Sequence, residues 1–445
     1  MSNAAEIVQK DLACLWHPFT QQKIWPSEPP LVISGGQGNW LVDIDGKRYF
    51  DGVSSLWVTV HGHGEPAINQ AIKEQVEALD HSTMLGLTHP KAALLAAELA
   101  RLTPPSLSRV FFSESGSTAV EIALKIAYQY WQLKGQSKKR TFVSLAEAYH
   151  GDTIGAVSIG GIELFHEVYR PLLFAKHTIA QPNKNKPGSA ERSVADLARV
   201  LAEHAEEICA LVIEPRVQGA AGMIIQPDGY LSTVCRMAHE AGVLVVADEV
   251  ATGFGRTGAM FACQLEGVCP DLMALGKGLT GGVLPLAATM ASEEIYEAFL
   301  GEFDEFRHFF HGHTYTGNPI ACAAALANLA LMQSRDILAN VAARAAQLAR
   351  GLAELARLDH VVDVRQQGMM CGVELAADKA SGLAYAPGRR MGHQVIMAAR
   401  RRGVIIRPLG DTVVLMPPLS SSEQEIAFLL EVVGQAIVEA TEEGA

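Results

Sequence analysis

The chain has 445 residues, 49% of them apolar and 19% charged, with a formal net charge of −12. This composition supports a sizeable core and excludes a disordered chain. The acidic balance and the lack of any Lys/Arg-rich run argue against nucleic acid or an anionic membrane as partner. No stretch approaches the ~20 apolar residues of a membrane helix. The N-terminal MSNAAEIVQKD lacks a secretory pattern, and seven cysteines with no C-x-x-C pair point to a reduced, cytoplasmic protein.

In chain order, residues 31–50 alternate around Gly and Asp-Gly signals and predict a small β-meander turning at Asp45-Gly46. From about residue 65, short apolar runs alternate with helical patterns. Strands are predicted at Arg109–Ser113, Thr141–Leu145, Ala210–Glu214, Val243–Asp248 and Leu272–Leu275. Long helices are predicted at Thr118–Leu133 and Leu231–Ala241. Strand–helix alternation implies a mainly parallel sheet covered on both faces, an α/β fold. Residues 321–357 are rich in Ala, Leu and Arg and predict one or two helices leading out of the large domain. The remainder predicts an α+β unit: strands at Val361–Arg365, Met370–Glu374 and Val413–Met416, a helix around Met391–Arg402, and a final helix. The expected division is 1–60 as an N-terminal segment packing with the small domain, 61–335 as the large domain and 336–445 as the small domain.

Several motifs carry chemistry. Ser113-Glu-Ser115-Gly116-Ser117-Thr118 follows a strand and opens a helix, with Thr118 and Glu121 at capping-box spacing. Small residues there present free N–H groups and a positive dipole end to an anion such as phosphate. Tyr149-His150-Gly151-Asp152 offers an aromatic ring that could stack on a flat ligand. The apolar run from Val243 ends in Asp248-Glu249-Val250, placing a carboxylate at the sheet edge where α/β enzymes bind ligands. Lys277, 29 residues beyond Asp248, lies between two glycines at another strand end. An accessible lysine of depressed pKa there can condense with an aldehyde, and an acid beside a pyridine nitrogen keeps that ring an electron sink. Gly253-Phe-Gly255-Arg-Thr-Gly258 matches a dinucleotide pattern, but the preceding acids would repel a pyrophosphate and no long helix follows, so a tight turn is expected. His61, His63, His308, His311 and His313 are read as loop histidines near a pocket, with no catalytic metal expected.

As an ordered set, Asp51-Gly52, Ser115-Gly116-Ser117, Tyr149-His150-Gly151, Glu214-Pro215, Asp248-Glu249-Val250, the Gly253–Gly258 turn and the Lys277 segment resemble the class III (ω-) aminotransferases of the fold-type I pyridoxal 5′-phosphate (PLP) superfamily. The likeness covers nearly the whole chain. Leu15-Trp16-His17-Pro18-Phe19-Thr20, Asp51–Trp57, His150–Thr153, His311–Asn318 and Arg407–Gly410 are most similar to the biotin-synthesis branch. The resemblance implies amino transfer to the keto acid 8-amino-7-oxononanoate, giving 7,8-diaminononanoate, with S-adenosylmethionine as the usual donor and lysine in some relatives. The other class III reading is an ω-amino acid or polyamine enzyme using pyruvate or 2-oxoglutarate.

The same resemblance implies that Lys277 carries PLP, that Asp248 partners the pyridine nitrogen and that Tyr149 lies against the ring with Val250 on the opposite face. Gly116 and Ser117 bind phosphate, and His150 lies at the cofactor. Thr314, with His313, reaches the cofactor phosphate of the other subunit of a homodimer. Phe19, Leu56, Trp57, Gly312 and Arg407 line the substrate pocket, Arg407 pairing with the keto-acid carboxylate. Many relatives carry Tyr at Phe19, Trp at Leu56 and Tyr at Val414, which leaves both donors open.

Overall fold

The computed structural model describes residues 4–28 and 30–442. Its centre is a seven-stranded sheet in the spatial order Leu107–Ser113, Ala287–Ser292, Leu272–Leu275, Leu244–Asp248, Ile208–Ile213, Thr141–Leu145, His177–Ile179. Ala287–Ser292 runs antiparallel to both neighbours, and the other pairs are parallel. Two of these strands were not expected. Ala287–Ser292 reads AATMAS, with little β propensity, and is a strand because its backbone closes the gap between two neighbours. His177–Ile179 is an edge strand of three residues.

Uninterrupted apolar runs predict strands buried on both faces, and Ile208–Ile213 and Leu244–Asp248 are buried at every position. Successive side chains enter opposite layers. Leu211, Val245 and Met273 join one core; Ala210, Val246 and Leu272 join the other, with the helix Gly116–Leu133. That helix starts two residues before the predicted Thr118 and corrects the capping assignment. Ser115 is the N-cap and Thr118 its capping-box partner. Glu121 instead accepts from Gly155 N (2.7 Å), at the start of the helix Ile154–Ile159.

The predicted helical region 321–357 is two helices, Pro319–Ser334 and Ile337–Leu355, broken where Asp336 takes φ +46°. Beyond them, Val361–Gln367, Met370–Leu375, Thr412–Leu415 and Arg407–Leu409 form an antiparallel sheet, with the helix Met391–Arg401 between its second and third strands in sequence. The N-terminal meander is Ile33–Gln37, Trp40–Asp43 and Arg48–Asp51. Val404–Ile405 joins it as a fourth strand, parallel to Arg48–Asp51.

Candidate active site

Parallel strands of one sheet end together, and their C-terminal edge is where ligands bind. Here the strand ends bring distant residues around one cavity of about 150 Å³. Its lining includes Trp57, Gly116, Ser117, Tyr149, His150 and Glu214, with Asp248, Val250 and Lys277.

Asp248, at the end of its strand, is 5% exposed. Its Oδ2 lies 2.7 Å from His150 Nδ1, and its Oδ1 accepts from Val250 N at 3.1 Å. Lys277 follows the strand Leu272–Leu275 and has φ +41°, a conformation costly for a residue with a Cβ. Its Nζ lies 5.0 Å from the Trp57 ring centroid. Burial holds the Lys277 amine below its ordinary pKa, partly countered by Asp248 and Glu214. A cavity amine with depressed pKa and a carboxylate in the same lining is the donor set that a pyridine aldehyde requires.

A helix N-terminus also lines the cavity. Gly116 and Ser117 form the first turn of the helix Gly116–Leu133, whose early N–H groups lack intrahelical partners. Glycine is required at 116, where a Cβ would lie 2.4 Å from Val250 Cγ1. Gly151 has φ +120° and would place a Cβ 2.0 Å from Ser117 Oγ. Tyr149 projects from the adjoining loop; its O–H donates to Asp152 Oδ2 at 2.7 Å. The cavity therefore fits PLP: its lining combines an anion cradle, a buried acid, an amine and aromatic rings.

Glu214, a marker of the Glu214-Pro215 motif, also belongs to this site. It is 5% exposed, accepts Tyr149 N (3.1 Å) and Gly219 N (3.0 Å), and burial pushes its carboxyl up to about 7. An acid-proline pair at a buried strand end was the available signal. The Gly253–Gly258 segment is a turn, with Phe254, Gly255 and Gly258 at positive φ. Its Arg256 is buried and donates to Ser54 Oγ (2.9 Å), Thr59 O (2.6 Å) and Pro417 O (2.5 Å). It thereby holds the segment carrying Trp57, where Ser54, Ser55 and Trp57 all have positive φ.

The remaining predicted residues lie outside the cavity lining. Phe19 and Leu56 are exposed, with Phe19 5.5 Å from the Phe165 ring. His313 pairs with Glu114 at 2.5 Å, and Gly312 and Thr314 are exposed on the same loop. Arg407 is exposed on the strand Arg407–Leu409, opposite Val414. His63 pairs with the buried Asp51 at 2.9 Å, and His311 Nδ1 lies 2.9 Å from Lys125 Nζ.

Residues 23–437 match the family described as aminotransferase class-III, and the chain belongs to that family of PLP-dependent aminotransferases. It is 49% identical to the adenosylmethionine-8-amino-7-oxononanoate aminotransferase of Geobacter sulfurreducens, over 94% of both chains. The crystal structure of the protein of that name from Methanocaldococcus jannaschii superposes with a TM-score of 0.94 at 43% identity, covering 98% of this chain and 99% of the other. A thermostable (S)-enantioselective omega-transaminase from Thermomicrobium roseum superposes with a TM-score of 0.95 at 38% identity, covering 99% of each chain.

Proposed function

We propose that the chain transfers an amino group to 8-amino-7-oxononanoate, giving 7,8-diaminononanoate for biotin synthesis, with S-adenosylmethionine or lysine as donor. The observation that carries this reading is the shared cavity of Lys277, Asp248 and the Gly116-Ser117 helix start, in a chain 49% identical to a protein of that name. When bound, PLP supplies an aldehyde carbon and an electron-withdrawing ring that stabilises negative charge on the substrate carbon. Lys277 Nζ would hold the cofactor, and its amine, when free, would carry a proton off and on the amine-bearing carbon of the substrate. Asp248 would keep the cofactor's ring nitrogen protonated, and His150, 2.7 Å away, holds that carboxylate in place. Gly116 and Ser117 bind phosphate through the helix start. Tyr149 and Val250, both in the cavity lining, would contact the ring. Arg407 grips the keto-acid carboxylate with its guanidinium fork; Phe19, Leu56, Trp57 and Gly312 complete the pocket.

A homodimer belongs to this reading, with His313 and Thr314 reaching the other subunit's phosphate. Support comes from large apolar side chains on the surface of one copy: Leu85, Phe303, Phe310 and Tyr315 are 86%, 80%, 71% and 63% exposed. The domain division 1–60, 61–335 and 336–445 is supported by the parallel pairing of Val404–Ile405 with the N-terminal meander. A cytoplasmic location is supported by seven unpaired cysteines. No helix among the described residues is long and apolar enough to cross a membrane.

The second reading is an ω-amino acid or polyamine aminotransferase using pyruvate or 2-oxoglutarate, favoured by the TM-score of 0.95 to the Thermomicrobium omega-transaminase. Enzyme converted to its amine form separates the two. Rapid recovery of the cofactor's visible band with 8-amino-7-oxononanoate supports the biotin reading; recovery with pyruvate alone overturns it. Lys277→Ala is expected to lose that band's lysine-dependent form and most turnover; full activity would sink the site assignment.

A further inference from the structure

Away from the cavity, at the outer edge of the central sheet, three side chains from separate elements converge. His177 opens the edge strand His177–Ile179, His204 closes the helix Ser189–His204, and Glu207 immediately precedes the strand Ile208–Ile213. The two imidazoles stack with centroids 4.5 Å apart at 28°. One ligand atom from each of the three residues lies within 4.8 Å of the others.

His204 Nδ1 is buried without a hydrogen-bond partner, and Glu207 Oε2 lies 3.7 Å away. That separation is too long for a hydrogen bond. It is close to the roughly 3.3 Å between two ligands each about 2.05 Å from a tetrahedral zinc. The other ring nitrogen, Nε2, faces Glu203 Oε2, also at 3.7 Å. Glu203 is shared with Arg199, 3.8 Å away.

We propose that His177, His204 and Glu207 form a zinc site that pins the C-terminus of the helix Ser189–His204 to the sheet edge. Two imidazoles and one carboxylate favour a borderline transition-metal ion over Mg2+ or Ca2+. Glu207 is exposed and the histidines half-buried, so water completes the coordination. None of these residues lines the cofactor cavity, so the proposal stands apart from the functional reading.

The test is calorimetric titration of Zn2+ into untagged, chelator-treated, PLP-loaded protein, with Mg2+ as control. Wild type is expected to take up one saturable equivalent of Zn2+ that His177→Ala/His204→Ala lacks. Glu207→Gln, which removes the carboxylate ligand's charge, is expected to weaken that equivalent about tenfold or more. Thermal unfolding is expected to rise with Zn2+ in wild type but not in the double variant, with transamination unchanged in both. Equal Zn2+ stoichiometry and affinity in wild type and double variant, or no Zn2+ binding by wild type, overturns the site.

Discussion

Glu214 shows how burial, reinforced by a neighbouring carboxylate, gives a common residue an uncommon titration. Its carboxyl accepts two backbone N–H groups, which favour the charged form, yet removal from water outweighs them and lifts it to about 7. His150 partly opposes the lift, and Asp248 adds to it. The folded state therefore prefers Glu214 protonated. Its contribution to stability is fully present below the ordinary value of 4.5 and is lost as pH climbs through about 7. Glu214→Gln removes this loss. In urea unfolding of the cofactor-free protein, the variant is expected to gain on wild type steadily from pH 4.5 to pH 8. A pH-independent difference would show that Glu214 is ionised in the folded chain throughout.

Arg256 acts on an element rather than on a ligand. The segment Ser54–Trp57 carries three residues at positive φ and places Trp57 5.0 Å from the Lys277 amine. Such strain persists only where neighbours over-determine it. Asp51 does so from one side, accepting Ser55 N (2.7 Å) and Ser55 Oγ (2.9 Å); Ser54 Oγ also donates to Met416 O (2.7 Å). From the other side, the buried Arg256 guanidinium donates to Ser54, Thr59 and Pro417. Arg256→Ala leaves these acceptors unsatisfied and is expected to destabilise the fold by about 3 kcal/mol or more. Arg256→Lys keeps a charge without the planar fork and is expected to retain the fold while loosening Trp57. Chemical denaturation and tryptophan fluorescence check the two effects; wild-type stability in Arg256→Ala would refute this role.

At the scale of the whole molecule, the proposed dimer makes each site a joint product of two chains. Lys277→Ala lacks the amine, and Thr314→Asp sets a negative charge against the partner's phosphate. Each variant is expected to be inactive alone. Mixed and re-associated, they form hybrids with one site holding both an intact Lys277 and an intact Thr314. Activity is then expected to return to a fraction of wild type. A mixture no more active than its parts would place each site within a single chain. The same scale explains the two sheets: the meander and Val404–Ile405 are separated by more than three hundred and fifty residues yet share backbone hydrogen bonds.

The sequence by itself determined the parallel core strands, the long helices and the cavity-lining chemistry. Apolar runs such as Ile208–Ile213 can be satisfied only between two covering layers. The acid ending Leu244–Asp248 and the glycine-flanked Lys277 are local features of single strand ends. The tertiary structure decided what depends on neighbours. Ala287–Ser292 is a strand through pairing on both sides, and Glu121 caps the helix Ile154–Ile159 because that helix starts beside it. Glu214 acquires its perturbed carboxyl, and His204 its neighbour His177, only when separate elements pack together. Burial and proximity are properties of the folded chain, and no window of sequence contains them.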